Sequence, residues 1–196
     1  MNNEDLMIRK ALNFAAIAHG SVKNDDGSIG QKRKGTNIPY IVHPFEVWQI
    51  LKENNCSSIV QIAGLLHDCL EDAGITAEEI EKEFGKEVRL LVESESEDKM
   101  RHLAEKDSWK ARKQATIEEL KTASKETMMV CNADKLSNVR SMAYDLATVG
   151  DKLWERFNAP KSELKWYYES IAEALSPISD MAMQRELCKL VLEVFN

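Results

Sequence analysis

Four prolines and eight glycines are few turn-formers for 196 residues, and their scarcity excludes an all-β fold stitched together by many tight turns. Cysteine is sparse and scattered as well. Cys56, Cys69, Cys131 and Cys188 form no C-x-x-C pair, so neither a zinc-finger framework nor a disulfide scaffold is expected, and reduced core thiols are. No apolar run approaches the roughly 20 residues of a membrane span. The start MNNEDLMIRKALNF is acidic where a secretory signal would be basic. Positive charge is in deficit: 26 Lys and Arg face 33 Asp and Glu, a net charge of −7, which argues against a general nucleic-acid binder. These absences point to a cytoplasmic protein whose partner is neither a membrane nor a nucleic acid.

What the chain does contain is helix after helix. Hydrophobic residues at 43% and charged residues at 30% suffice for one globular core. Apolar residues recur at helical spacing from Leu6 to His19 and again over Lys125–Leu146, Lys161–Leu175 and Asp180–Phe195. Further helices are expected over Ser57–Asp72, from Lys86 towards Val92, over Ser108–Thr122 and over Gly150–Phe157. Thr76 and Glu79 make a capping box for a short helix that ends before Gly85. Pro44 suits the first turn of another helix. There is no internal repeat and no linker, so the expectation is all-α, one domain over residues 1–196. One segment resists this reading: GSVKNDDGSIGQKRKGTNIP, a polar loop with four glycines. Loops of that length are uncommon inside compact domains and often functional.

Chemistry-bearing residues gather in GLLHDCLEDAG, Gly64–Gly74. On a wheel centred on Ile62, the apolar face holds Ile59, Leu65, Leu66, Cys69, Leu70 and Ala73. His67, Asp68, Glu71 and Asp72 lie opposite, with Gly64 in the same polar sector leaving room one turn before the His-Asp pair. An ordinary solvated helix face reads the same way. Three carboxylates crowded near a helix C-terminus nevertheless oppose the dipole and each other, and a bound cation would offset both. Downstream, Asp134, Asn138, Ser141 and Asp145 form one polar stripe on a helix otherwise carrying Met129, Ala133, Leu136 and Val139. His43 opens the helix at Pro44. Taken together, His43, His67, Asp68 and Asp134 make a two-His, two-Asp set suited to Mn²⁺, Fe²⁺ or Zn²⁺. Basic clusters QKRKG and WKARKQ supply local positive charge. His19 and His102 suit core or surface roles, and the tryptophans with Tyr167 and Tyr168 follow helical spacing as packing groups.

These motifs, in the order RKGTNIPYIVHP, LLHDCLED, EDAGITAEEIEKEFGKEVRLLVESESEDK and ADKLSN, resemble the HD-domain metal phosphohydrolases. They look most like the hydrolase domain of Rel/SpoT enzymes and the stand-alone small alarmone hydrolases. The resemblance covers residues 6 to 145, and WERFNAPKSELKWYYESI extends it more weakly. It implies a helical HD-domain bundle with the C-terminal helices packed on it. The implied activity is metal-dependent removal of the 3′-pyrophosphate from (p)ppGpp; no synthetase region follows, so hydrolysis alone is expected. Carried over residue by residue, His43, His67, Asp68 and Asp134 match the metal ligands, for which the family generally uses Mn²⁺. Glu71 and Asp72 match the pair that positions and activates water. Arg33, Lys34, Asn138 and Ser141 match contacts to the nucleotide, and Lys99, Arg112 and Lys113 match phosphate contacts. Four departures stand out: Ser137 where long Rel enzymes have His, Lys135 where they have Arg, extra residues around Asn24–Ile29, and one more residue between Lys34 and His43. The same chemistry would also serve another nucleotide, such as the 2′-phosphate of NADPH or a nucleoside monophosphate. A helical module that senses alarmone without turning it over is the alternative from outside catalysis.

Overall fold

The segment SIVQIAGLL is hydrophobic on nearly every side, and a helix of that kind belongs in the interior. It forms α3 (Ser58–Leu66), started by the Ser57 side chain accepting from the Val60 amide. Val60, Ile62, Ala63, Gly64, Leu65 and Leu66 are all buried. Burying each of the larger ones contributes about 1.5–3 kcal/mol. The computed structural model describes residues 2–96 and 105–196, and these are all-α apart from two isolated bridges in the loop after the first helix. Around α3 pack α1 (Asn3–Gly20), α2 (Val42–Glu53), α6 (Lys86–Glu95) and the long α8 (Lys125–Val149). A four-residue α4 (Cys69–Asp72) follows α3, and α5 (Ala77–Phe84) leads into α6 with the expected Thr76–Glu79 capping box. Then come α7 (Glu105–Leu120), a 3-10 segment Gly150–Arg156, α9 (Lys161–Ala174), a short 3-10 turn Ser176–Ile178 and α10 (Ala182–Phe195). The α10 face of Met183, Leu187, Val191 and Val194 is buried against α8 and α9. Among the described residues no helix is long and apolar enough to cross a membrane.

Two expectations about the central helix need correction. Ser57–Asp72 is not one continuous helix: it breaks at His67–Asp68, where Asp68 has φ −94° and ψ −1°, the sparsely allowed bridge region common at active sites. The cause is visible in the last turn of α3. His67 Nδ1 donates to the Gly64 carbonyl at 2.9 Å, occupying one of the C=O groups that a helix end leaves without an intrahelical partner. His67 is therefore buried, at 3% exposure, and is not part of a solvated face.

Gly64 makes room for a neighbouring helix and not for the site. A Cβ there would stand 2.4 Å from Leu51 Cδ1 and 3.2 Å from Val47 Cγ1, both on α2. Leu51 is fully buried and cannot swing aside. Gly64→Ala would gain roughly 1 kcal/mol of helix propensity against about 1–3 kcal/mol of overpacking. The expected result is a net loss of about 1 kcal/mol, read as a lower urea midpoint with unchanged slope.

Candidate functional site

Three elements converge on one point. His43 comes from the first turn of α2, His67 and Asp68 from the break between α3 and α4, and Asp134 from the middle of α8. His43, His67 and Asp134 offer ligand atoms that all lie within 4.8 Å of one another, and all three residues are buried. His43 Nε2 is 3.1 Å from Asp134 Oδ1, and His67 Nε2 is 3.8 Å from the same oxygen. Asp68 completes the group: its Oδ2 lies 2.8 Å from His67 Nε2 and 3.7 Å from His43 Nε2.

The surroundings fix which ring nitrogens face inward. His67 Nδ1 gives its proton to the Gly64 carbonyl, which can only accept. On the other ring, Ser137 Oγ donates to Glu46 Oε2 at 2.9 Å, so that oxygen accepts from His43 Nδ1 at 2.9 Å. Both Nε2 atoms therefore present lone pairs to carboxylate oxygens. Among the described residues the buried His67 Nε2 makes no hydrogen bond, the Asp68 Oδ2 atom 2.8 Å away being a charge contact. Lone pairs facing anionic oxygens require a proton or a cation between them. A divalent cation satisfies all four groups at once, with each outer nitrogen held by a second partner as metal-bound histidines generally are. The donor set thus fits such an ion.

Electrostatics agree. Burial opposes charge on His67, but the carboxylates of Asp68 and Asp134 outweigh it and raise its pKa to about 9. Burial lowers the pKa of His43 against the pull of Asp134. Despite burial, His67 holds Asp68, and Lys135 with His43 holds Asp134, below the ordinary carboxylate range. Lys135 Nζ pairs with Asp134 Oδ2, while Asn138 Nδ2 donates to Asp134 Oδ1 at 2.7 Å. Tyr40 donates its hydroxyl to Asp68 Oδ2 at 2.5 Å. Burial and the Asp68 charge keep that phenol protonated, far above its usual pKa.

Beside this cluster opens a cavity of about 440 Å³ whose lining includes Arg33, Lys34, His43, Asn138 and Ser141. The α8 stripe of Asp134, Asn138, Ser141 and Asp145 runs from the cluster along its wall. Arg33 donates to Asn138 Oδ1 at 2.8 Å, and Lys34 to Asn158 Oδ1 at 3.1 Å. Arg112 lines a second cavity of about 400 Å³ together with Lys135 and Glu95, whose carboxyl burial pushes up to about 8. The Lys113 ammonium sits 5.0 Å over the Tyr167 ring. Lys99 and His102 fall outside the described residues.

A family model described as HD domain matches residues 11–162. The chain belongs to the HD-domain family. The match starts five residues inside the 6–145 read from the motifs, runs past its C-terminal end and takes in the 3-10 segment. A curated relative from Xenopus tropicalis, guanosine-3′,5′-bis(diphosphate) 3′-pyrophosphohydrolase MESH1, is 35% identical over 144 residues, which is 72% of this chain and 73% of that one. The crystal structure of lmo0812 from Listeria monocytogenes EGD-e is 34% identical, with a TM-score of 0.70 over 78% of this chain and 98% of that one. A structure described as a metazoan ortholog of SpoT that hydrolyzes ppGpp shares the fold at a TM-score of 0.69, with 23% identity, over 95% and 94% of the two chains.

Several residues of this HD-domain site escaped the sequence reading. Glu46 carried a usable signal, since it lies one turn after His43 on the same face. Tyr40 stood within the motif RKGTNIPYIVHP without a role of its own, and Gln31 and Arg156 carried no signal, because periodicity within one segment does not betray which distant side chains converge. Arg156 packs its side chain where a Gly35 Cβ would go and pairs with Asp145 at 2.7 Å. Ser137, noted only as a departure, is the hydroxyl relay from Glu46 to His43. Ser137→Ala would leave His43 Nδ1 without its partner. Metal affinity is expected to fall about 10–100-fold, the usual cost of removing an outer-shell partner, as measured by competition with a chelating dye.

Proposed function

We propose that this chain is a metal-dependent guanosine-3′,5′-bis(diphosphate) 3′-pyrophosphohydrolase of the cytoplasm. It degrades (p)ppGpp to GDP or GTP and pyrophosphate. The observation that carries this reading is the junction of the buried His43–His67–Asp68–Asp134 cluster with a cavity walled by Arg33, Lys34, Asn138 and Ser141. One end suits a cation and the other an anionic nucleotide. Residues 1–196 act as one HD-type unit, supported by Arg140 of α8 reaching Glu186 of α10 at 2.8 Å.

His43, His67, Asp68 and Asp134 would hold the metal, with Mn²⁺ as the family's usual ion. When bound, such an ion supplies positive charge and lowers the pKa of water, from 15.7 to about 7 in the most acidic sites. The remaining work belongs to the chain. Glu71 and Asp72, just beyond the ligand pair, take up the proton as water adds to the phosphorus attached to ribose O3′. The P–O3′ bond breaks, O3′ regains a proton and pyrophosphate leaves. Arg33 and Lys34 neutralise phosphate and grip the base against Asn138 and Ser141, and Arg112, Lys113 and Lys99 draw on the departing anion.

The test is a substrate panel. Purified protein with Mn²⁺ should release pyrophosphate and GDP from ppGpp and leave NADPH and nucleoside monophosphates largely untouched. Faster phosphate release from NADPH would transfer the same chemistry to another nucleotide. Tight ppGpp binding without product would make the chain a sensor and overturn the proposal.

A further inference from the structure

The end of the loop between α1 and α2 is closely registered. Lys32 and Pro39 pair as an antiparallel bridge. The Arg33 amide donates to the Ile38 carbonyl and the Tyr40 amide to the Gln31 carbonyl, each at 2.9 Å. Gln31 and Tyr40 therefore face each other at the open end of a small hairpin. The Gln31 amide also donates to the His19 carbonyl at 2.9 Å, tying that end to the last turn of α1.

The two side chains of this pair reach two carboxylates one helical turn apart. Tyr40 donates to Asp68 Oδ2 at 2.5 Å, and Gln31 Nε2 donates to Asp72 Oδ2 at 3.1 Å. The Asp72 carboxylate dictates the orientation of the Gln31 amide, because it only accepts and so takes Nε2. That leaves Oε1, which also only accepts, for His19 Nδ1 at 2.7 Å. His19 thereby keeps its proton on Nδ1, and its Nε2 is free to accept from the Cys69 thiol, 3.8 Å away. His19 also tilts over the Tyr40 ring with centroids 4.8 Å apart. One buried histidine thus anchors both members of the pair.

The Gln31 amide gives Asp72 such a guide. Asp72 is exposed, at the last residue of a four-residue helix that stops at Gly74 with φ +68°. The aim of its carboxylate matters, because a misplaced reacting group of about 1 Å can cost on the order of 100-fold in rate. We propose that Gln31 is a positioning residue. It aims the Asp72 carboxylate from the hairpin, in register with the Tyr40 contact that fixes Asp68, so that ligand and proton acceptor are set by one rung. Beyond the rung the turn is closed by the Thr36 amide donating to the Arg33 carbonyl at 3.0 Å. The inference rests on the reading of Asp72 as a proton acceptor.

The test uses the full chain with Mn²⁺ and ppGpp, and Gln31→Met, which keeps length and loses both hydrogen bonds. Its kcat is expected to fall about 10–100-fold, with KM and metal affinity within about threefold. In the Gln31→Met, Asp72→Asn double variant, the loss should equal that of Asp72→Asn alone, as for residues acting as a unit. Independently of activity, the Gln31 side-chain amide resonance, identified by its absence in Gln31→Met, should shift on Asp72→Asn. An unchanged kcat in Gln31→Met, additive losses or an unmoved resonance would overturn the positioning role. A wild-type protein without pyrophosphate release would instead overturn the function, and the resonance would still report on the contact.

Discussion

Asp68→Asn is expected to abolish tight divalent-metal binding and to lower turnover by at least about 10²–10³-fold, the scale set by losing one preorganised electrostatic group. The substitution conserves volume and changes one feature, the negative charge 2.8 Å from His67 Nε2 and 3.7 Å from His43 Nε2. In the metal-free protein the lost charge is one that holds the His67 proton, and the oxygen facing His67 also accepts from Tyr40, so the variant starts from a lower stability of its own. The signature is therefore the metal-dependent increment, not the midpoint alone. Wild-type protein should gain thermal stability with added Mn²⁺, because a ligand bound only to the native state shifts unfolding by mass action. Relative to its own metal-free midpoint, the variant should lose the increment. A variant that retains stoichiometric metal after dialysis, or wild-type turnover, would remove Asp68 from the ligand set.

The helices were legible because their signals are local. The Thr76–Glu79 capping box, the stop at Gly85 and the α10 rhythm of Met183, Leu187 and Val191 all needed only neighbouring residues. The α8 stripe was legible for the same reason, and its members Asn138, Ser141 and Asp145 turned out to line the cavity. The break at His67–Asp68 was not, since periodicity carries smoothly through it and the cause is a side chain bonding to its own helix terminus. Gly64 was misplaced by the same smoothness: a wheel shows which side a residue faces but not that α2 occupies that side. Glu46, Ser137 and His43 needed a contact spanning more than ninety positions, which spacing within one helix cannot contain.

Asp72→Asn carries the second large effect, a kcat lowered by about 10²–10⁴-fold, the usual contribution of a positioned general base. Metal affinity should stay within a few-fold, because Asp72 stands outside the proposed set of four ligands and its Oδ2 is engaged by Gln31. That separates it from Asp68→Asn, where metal and turnover are lost together. KM should also hold, since Arg33, Lys34, Asn138 and Ser141, the residues proposed to grip the nucleotide, line the cavity. Glu71→Gln is the comparison that assigns the roles. Both carboxylates lie on α4, and the hairpin holds Asp72 by a hydrogen bond across 41 positions. Glu71→Gln is therefore expected to lose about tenfold less than Asp72→Asn, a ratio within the range spanned by general-base effects. Single-turnover rates at saturating Mn²⁺ and ppGpp read both losses without interference from product release. The larger loss on Glu71→Gln would make Glu71 the base and leave Asp72 to orient the water.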